Sequence, residues 1–163
     1  LEGITFRGDF AYYNHEPTYY GVDGSSTGYQ LWNNVFWLIG IDRYVFTKLQ
    51  ASFQFAQYIM QDAKSGFSGK YPLNAYTYGL ADQVENIFSF KLSANFMNDR
   101  LKPEFFISCT DDNQGRISPK ISYEIKDNLV LTVGVHHFYG HVQDSNGQFR
   151  NSDQIYTNLK FSF

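Results

Sequence analysis

Charged and amide side chains recur at alternate positions along several segments of this 163-residue chain. Such alternation is typical of β-strands, in which successive side chains point to opposite faces. The residues that we predict to share one polar face and to line a pore are Arg7, Asp9, Gln50, Gln54, Glu85, Lys91, Lys102, Glu104, Lys120, Glu124 and Lys160. Basic and acidic groups nearly cancel in this set. It therefore indicates either a water-filled pore of little charge selectivity or, in a closed small barrel, an interior filled by ion pairs.

Large apolar side chains on the same polar face would narrow a pore or contact a solute. The alternation predicts this position for Phe36, Leu38, Tyr58, Phe106 and Phe138.

Other residue types associated with chemistry form no recognisable motif. His136, His137 and the nearby His141 are candidate metal ligands. Because adjacent residues of a strand point to opposite faces, His136 and His137 cannot easily bind the same metal ion. The acidic and amide residues at 111–113 and 144–147 could supply calcium ligands, but these types are also favoured in turns. We therefore predict no metal site and no cofactor.

Catalytic residue types are present without a catalytic pattern. His15, Asp23 and Ser25 include the members of a hydrolase triad but lie in no nucleophile motif, so we predict that the chain is not an enzyme. Cys109 is the only cysteine, which excludes an intramolecular disulfide framework and a multi-cysteine zinc site. We expect this thiol to face lipid as a small apolar group.

Eight segments with period two must position these side chains, and no comparable helical period appears. The predicted strands cover about 4–13, 35–43, 49–60, 83–96, 101–110, 117–125, 129–139 and 155–163. Long polar connections are predicted at 14–34, 61–82 and 140–152, and short turns at 44–48, 97–100, 111–115 and 126–128. Long and short connections mostly alternate, which is typical of an outer-membrane barrel. The pattern predicts an all-β fold, an antiparallel up-and-down transmembrane β-barrel, in a single domain over residues 1–163.

The composition supports a barrel rather than other classes of protein. Aromatic residues make up 19% of the chain and charged residues only 18%, against about 25% in a typical soluble domain. The formal net charge of -3 argues against a nucleic-acid binder, and no apolar run is long enough for a transmembrane helix. Aromatic residues gather near the predicted strand ends, as in the two interfacial girdles of a membrane barrel, at Tyr12, Tyr13, Tyr19, Tyr20, Tyr44, Phe46, Phe96, Tyr139 and Phe163.

A lipocalin-like barrel has the same alternation with the apolar side chains inside. Here the apolar face carries many large side chains, and the interior of an eight-stranded barrel has little room for them. They include Phe6, Phe10, Trp37, Phe53, Phe55, Phe88, Phe90, Phe105 and Phe161. We therefore expect the apolar face to meet lipid and the polar face to line the lumen.

The last segment, 155–163, resembles the β-signal by which Gram-negative outer-membrane proteins are recognised for assembly. The residues that carry the likeness are Tyr156, Leu159, Phe161 and Phe163. The resemblance implies the outer membrane, contact with the barrel assembly machinery and a periplasmic carboxy-terminus.

Three further stretches resemble the carboxy-terminal part of the domain of unknown function 1302 family of large proteobacterial outer-membrane barrels. They lie at 7–13, at 39–43 with 49–54, and at 121–134. Members of that family are much longer than this chain. The resemblance implies that the chain supplies the last eight strands of a larger barrel.

Two functions follow as hypotheses. The first is a porin-like channel for passive diffusion of ions or small solutes. The second is a closed eight-stranded outer-membrane barrel with a structural role or a partner-binding role through its long loops. The expected partners are outer-membrane lipid, the assembly machinery and, for a channel, small solutes, with a homo-oligomer or another outer-membrane protein as further partners and no nucleic acid.

Overall fold

The chain folds into one large antiparallel sheet in a computed structural model. The structure describes residues 3–22, 25–61, 70–72, 80–82, 84–141 and 146–162. In chain order its strands are β1 (Ile4–Val22), β2 (Ser25–Phe46), β3 (Leu49–Met60), β4 (Lys70–Pro72), β5 (Leu80–Asp82), β6 (Val84–Ala94), β7 (Leu101–Thr110), β8 (Gly115–Lys126), β9 (Leu129–Tyr139) and β10 (Gln154–Phe161). A single 3₁₀ turn covers Gly147–Phe149 in the described part. None of the described helical segments is long and apolar enough to cross a membrane.

The main sheet has the strand order β1-β2-β3-β6-β7-β8-β9-β10, and β4 pairs only with β5. The prediction of an all-β chain with eight antiparallel strands in up-and-down order is confirmed. The sheet is not closed, because β1 pairs with β2, β10 pairs with β9, and the described residues of the two outer strands do not pair with each other. The closed eight-stranded barrel would require a pairing that this structure does not contain.

The first hairpin is much longer than predicted, and the prediction of a loop over 14–34 is wrong. After a bulge between Tyr13 and Glu16, pairing resumes at Glu16 with Trp32 and continues to Val22 with Ser25. Because β3 ends opposite Asn34, this outer part of the hairpin extends beyond the sheet as a two-stranded ribbon. A two-stranded ribbon lacks the cross-strand neighbours that a strand inside the sheet has on both sides, so its sequence is not required to alternate as the other strands do.

The remaining connections follow the predicted asymmetry. At one end of the sheet, the short-turn rim, strands are joined through Thr47–Lys48, residues 95–100 and Asp127–Asn128. Asn128 takes a positive φ of 69°, which asparagine tolerates better than most residues. At the other end, residues 61–82 contain the short β4 and β5, and much of this segment lies outside the described residues.

The strands are staggered across the sheet. A continuous row of directly paired residues runs through Tyr44, Gln50, Ser93, Glu104, Lys120, Gly134 and Tyr156. This row begins two residues from the short-turn end of β2 and finishes two residues from the opposite end of β10. Strands with this stagger are tilted in the same sense, as strands must be for a sheet to curl into a barrel.

Prolines in sheets usually lie near strand ends or bulges, but Pro119 lies inside β8. It pairs with Phe105 of β7, but the pairing of β8 with β9 is interrupted at Ser118 and Pro119. A proline has no N–H to donate to a neighbouring strand. The missing hydrogen bond is accommodated on the side of β8 that faces β9, where the pairing is interrupted.

Candidate functional site

The strand pairing sorts the side chains of the main sheet into two faces. Directly opposite residues in antiparallel strands share a face, and the apolar face includes the cross-strand pairs of Phe53 with Phe90 and Phe55 with Phe88. The polar face includes the pairs of Gln54 with Ser89 and Glu104 with Lys120. By the same alternation, all of the residues predicted to line a pore lie on the polar face: Arg7, Asp9, Gln50, Gln54, Glu85, Lys91, Lys102, Glu104, Lys120, Glu124 and Lys160.

The polar face is the more enclosed of the two. Asn34 and Ser52 are only 0% and 5% exposed, whereas Phe6 and Ile155 on the apolar face are 68% and 82% exposed. The apolar face carries most of the exposed large hydrophobic side chains, among them Phe10, Ile39, Phe53, Phe88, Phe90, Phe105, Ile121, Val133, Leu159 and Phe161. This distribution is the reverse of that in a water-soluble sheet, which buries its apolar face.

On the polar face, two ion pairs join described residues of neighbouring strands. Arg7 Nη2 lies 2.8 Å from Asp42 Oδ1, between the neighbouring strands β1 and β2. Lys120 Nζ lies 2.9 Å from Glu104 Oε1, between β8 and β7. Both pairs retain partial exposure of at least one member, so they are fixed on a surface that water can reach.

Hydroxyl, imidazole and aromatic groups continue the polar face toward β10. The buried Ser118 places its hydroxyl 2.9 Å from His136 Nδ1. The His136 ring stacks on the Tyr156 ring, with centroids 4.9 Å apart and an interplanar angle of 22°. Tyr156 also covers Gly134, where a Cβ atom would come within 2.5 Å of the tyrosine ring. Gly134 therefore allows the aromatic ring of Tyr156 to lie flat across the sheet.

Two hollows on the polar face meet at Phe106. One of about 170 Å³ is lined by Arg7, Ser52, Gln54, Ser89, Lys91 and Phe106. The other, of about 220 Å³, is lined by Glu104, Phe106, Arg116, Ser118, Lys120, His136 and Tyr156. A larger hollow of about 580 Å³ is lined mainly by apolar residues of the other face, among them Phe105, Pro119 and Val133, and also reaches Glu104 and Lys120. Each of the two smaller hollows brings at least two charged side chains together on the polar face.

Arg116 and Asp42 are among the charged residues of the polar face that the set predicted from sequence lacks. Arg116 was missed because the predicted strand begins at Ile117, whereas β8 begins at Gly115. Asp42 lies on the polar side of the least regular segment, and its role as the partner of Arg7 depends on the pairing of β1 with β2. Continuing the alternation from Ser118 back by two positions would have placed Arg116 on the polar face.

A second polar cluster lies toward the end of the sheet that carries the ribbon. Glu16 accepts hydrogen bonds from the side-chain amide of Asn34 and from the Tyr58 hydroxyl, the latter at 3.1 Å. Glu16 falls in the segment predicted as a loop, so sequence reasoning did not place it near Tyr58.

Some of the residues considered for metal binding or catalysis lie outside the described residues. The described residues contain no group of three or more His, Cys, Asp or Glu side chains that could hold a metal ion. His136 and His137 point to opposite faces, and His137 Nδ1 lies 2.9 Å from Asp153 Oδ2. His15 lies at the bulge of β1 with a φ of 55°, while Asp23 is outside the described residues.

The carboxy-terminal strand has the predicted alternation. Leu159 and Phe161 lie exposed on the apolar face, and Tyr156 lies on the polar face. Phe163, the last residue of the predicted assembly signal, lies outside the described residues.

Comparisons with protein families, with curated proteins and with solved structures found no match for this chain.

Proposed function

We propose that this chain supplies eight strands of a Gram-negative outer-membrane β-barrel that acts as a porin-like channel for passive diffusion of ions or small solutes. The observation that carries the proposal is the reversed burial of the two faces. Large apolar side chains are exposed on one face, and polar side chains are enclosed on the other. This arrangement suits a sheet with lipid outside and water inside.

The strand dimensions support the same proposal. The strands β6, β7 and β9 contain 11, 10 and 11 residues. A tilted strand needs about 9–11 residues to cross the hydrocarbon core of a bilayer. The stagger of the paired row from Tyr44 to Tyr156 supplies the tilt that this length requires.

The chemistry of the polar face favours a hydrated lumen over a dry core. The Arg7–Asp42 and Lys120–Glu104 pairs remain partly exposed, and two hollows lie among charged side chains. A pore lined by such groups passes hydrated ions and small polar solutes.

β1 and β10 are the outer strands of the sheet. In this proposal further strands pair with them, so the barrel has more than eight strands. The short-turn rim faces the periplasm, and the ribbon of β1 and β2 extends on the extracellular side. β10 serves as the recognition strand for the assembly machinery, with Leu159 and Phe161 on its lipid-facing side.

The test is conductance of the purified full-length protein in a planar lipid bilayer, with stable current steps as the expected result. Fluorescence of Trp37, measured in a variant that keeps Trp37 as its sole tryptophan, provides the control for insertion, because Trp37 lies on the apolar face opposite Phe10. Brominated lipids should quench this fluorescence. Inserted protein without current steps would overturn the channel, and a Trp37 signal insensitive to brominated lipid would overturn the membrane barrel itself.

A further inference from the structure

We propose that the polar face contains a binding site for a small organic carboxylate, centred on Phe106 between Lys91 and Arg116. The physiological role of this site rests on the proposed channel function, because the site would select the solute that the channel passes. The binding itself is a property of the polar face and can be measured without any current.

The positive charge of the site comes from two cations that are not neutralised. Arg7 and Lys120 each form an ion pair with a carboxylate. Lys91 and Arg116, within the described part of the chain, form none. The Arg116 guanidinium instead lies over the Phe106 ring, with its central carbon 5.3 Å from the ring centroid. A guanidinium held against an aromatic ring keeps its N–H groups available to an incoming anion.

The strand pairing places both cations beside the same aromatic ring. Phe106 of β7 lies directly opposite Lys91 of β6 and directly opposite Ser118 of β8. Arg116 is two residues from Ser118 on the same face of β8. Phe106 is therefore flanked by one basic side chain on each neighbouring strand, at the point where the two hollows meet.

The surroundings define the rest of the ligand. The hollow beside Arg116 offers the flat, stacked rings of His136 and Tyr156 and the hydroxyl of Ser118. Its volume of about 220 Å³ lies below the range of about 300–1,000 Å³ that accommodates drug-sized molecules. A small planar carboxylate fits these features, since its charge would meet the cations and its apolar part would meet the rings.

The carboxylate Glu104, which also lines this hollow, does not favour a cationic ligand. Its Oε1 is held 2.9 Å from Lys120 Nζ, so its charge is already compensated. A cation entering the hollow would lose hydration and meet Arg116 without gaining a free anionic partner.

The experiment measures binding of 4-fluorobenzoate to the folded full-length protein in detergent, by fluorine NMR titration. Removing a charge-assisted contact from the binding site should weaken affinity about tenfold, so we expect this loss for Arg116→Gln and a similar one for Lys91→Gln. Lys48→Gln removes the same charge in the turn between β2 and β3 and should leave affinity unchanged. Glu104→Gln should increase affinity because it releases Lys120.

The outcomes separate this inference from the channel proposal. Absent binding, or equal affinity for the folded wild type and the Arg116→Gln and Lys91→Gln variants, would overturn the carboxylate site even if the protein conducts ions. Binding with the expected variant pattern, in protein that inserts but gives no current steps, would support the site and overturn the channel. The opposite signs expected for Arg116→Gln and Glu104→Gln exclude general misfolding as an explanation.

Discussion

The apolar face and the polar face of the sheet are built by the same strands, yet they relate to solvent in opposite ways. Phe6, Phe10 and Ile155 are largely exposed on the first, while Asn34 and Ser52 are buried on the second. Alternation with period two gives each strand two chemically different faces but does not say which one is enclosed. The exposure of each face, rather than the alternation itself, separates a barrel with a lipid-facing exterior from a lipocalin-like one.

The apolar face is continuous across the sheet, from Phe6 and Phe10 on β1 to Leu159 and Phe161 on β10. Water-soluble monomers rarely expose contiguous apolar patches of more than a few hundred Å². In a bilayer the same surface would contact lipid acyl chains and would need no protein partner to bury it. The polar face has the opposite requirement, because its ion pairs need hydration or close partners.

The strongest test of this comparison is to place one charge on each face at the same depth. Phe90→Arg puts a guanidinium on the apolar face near the middle of β6, and the adjacent Ser89→Arg puts it on the polar face. Arginine on a lipid-facing surface at the bilayer midplane costs about 2–4 kcal/mol. We expect this loss in the free energy of unfolding from lipid vesicles for Phe90→Arg and a much smaller loss for Ser89→Arg. Equal losses would break the assignment of the faces.

A second prediction concerns how closely the polar face is packed near β10. Gly134→Ala forces the Tyr156 ring away from the backbone and disturbs its stacking on His136, so we expect a loss of about 1 kcal/mol in unfolding free energy. In a Tyr156→Ala background the same change should be neutral or stabilising, since alanine restricts the unfolded chain more than glycine does. A double-mutant cycle in urea measures the difference, and an additive result would contradict the packing role of Gly134.

The strands that could be predicted from the sequence alone are those in which one face is apolar. The strands near 49–60, 101–110 and 129–139 match β3, β7 and β9 because apolar side chains recur at every second position along most of each strand. The ribbon of β1 and β2 was missed because its residues pair beyond the end of β3, where no third strand requires an alternating pattern. The open edges of the sheet also depend on pairing between distant strands, which local alternation does not specify.

The candidate site was predicted in part for the same reason. Lys91, Glu104 and Lys120 follow directly from alternation within their strands. Cross-strand register determines the contacts of these side chains. It places Lys120 beside Glu104 and Arg116 against Phe106. Register is a property of two strands, so no single segment could reveal it.

A smaller effect is expected for the Arg7–Asp42 ion pair. Because the Arg7 side chain remains about half exposed, its pairing with Asp42 should contribute between about 0.2 and 1 kcal/mol, with a decrease at high salt. A double-mutant cycle with Arg7→Gln and Asp42→Asn measures the coupling. A coupling energy well above this range would indicate that the polar face is dry at this position, contrary to a hydrated lumen.

The smallest effect is expected at the rim, outside both faces. The hydrogen bond from His137, supported by the Phe138 backbone N–H, holds the pKa of Asp153 below its usual value. A carboxyl with a lowered folded-state pKa stabilises the fold above its unfolded pKa of about 3.9, and this contribution is lost as the pH falls through the folded value. Unfolding of Asp153→Asn should therefore depend less on pH below about 4 than unfolding of the wild type. An identical pH dependence for the two proteins would contradict the contact.

The two free edges of the sheet impose a rule of parity on any closed assembly. β1 runs away from the short-turn rim, and β10 runs toward it. If every new neighbour pairs antiparallel, the strands inserted between these edges must be even in number, because an odd number would bring two parallel strands together. A second copy of the eight strands, set in the same orientation, satisfies this rule, as does an even number of strands from elsewhere. An odd-stranded barrel containing this sheet would need one parallel seam.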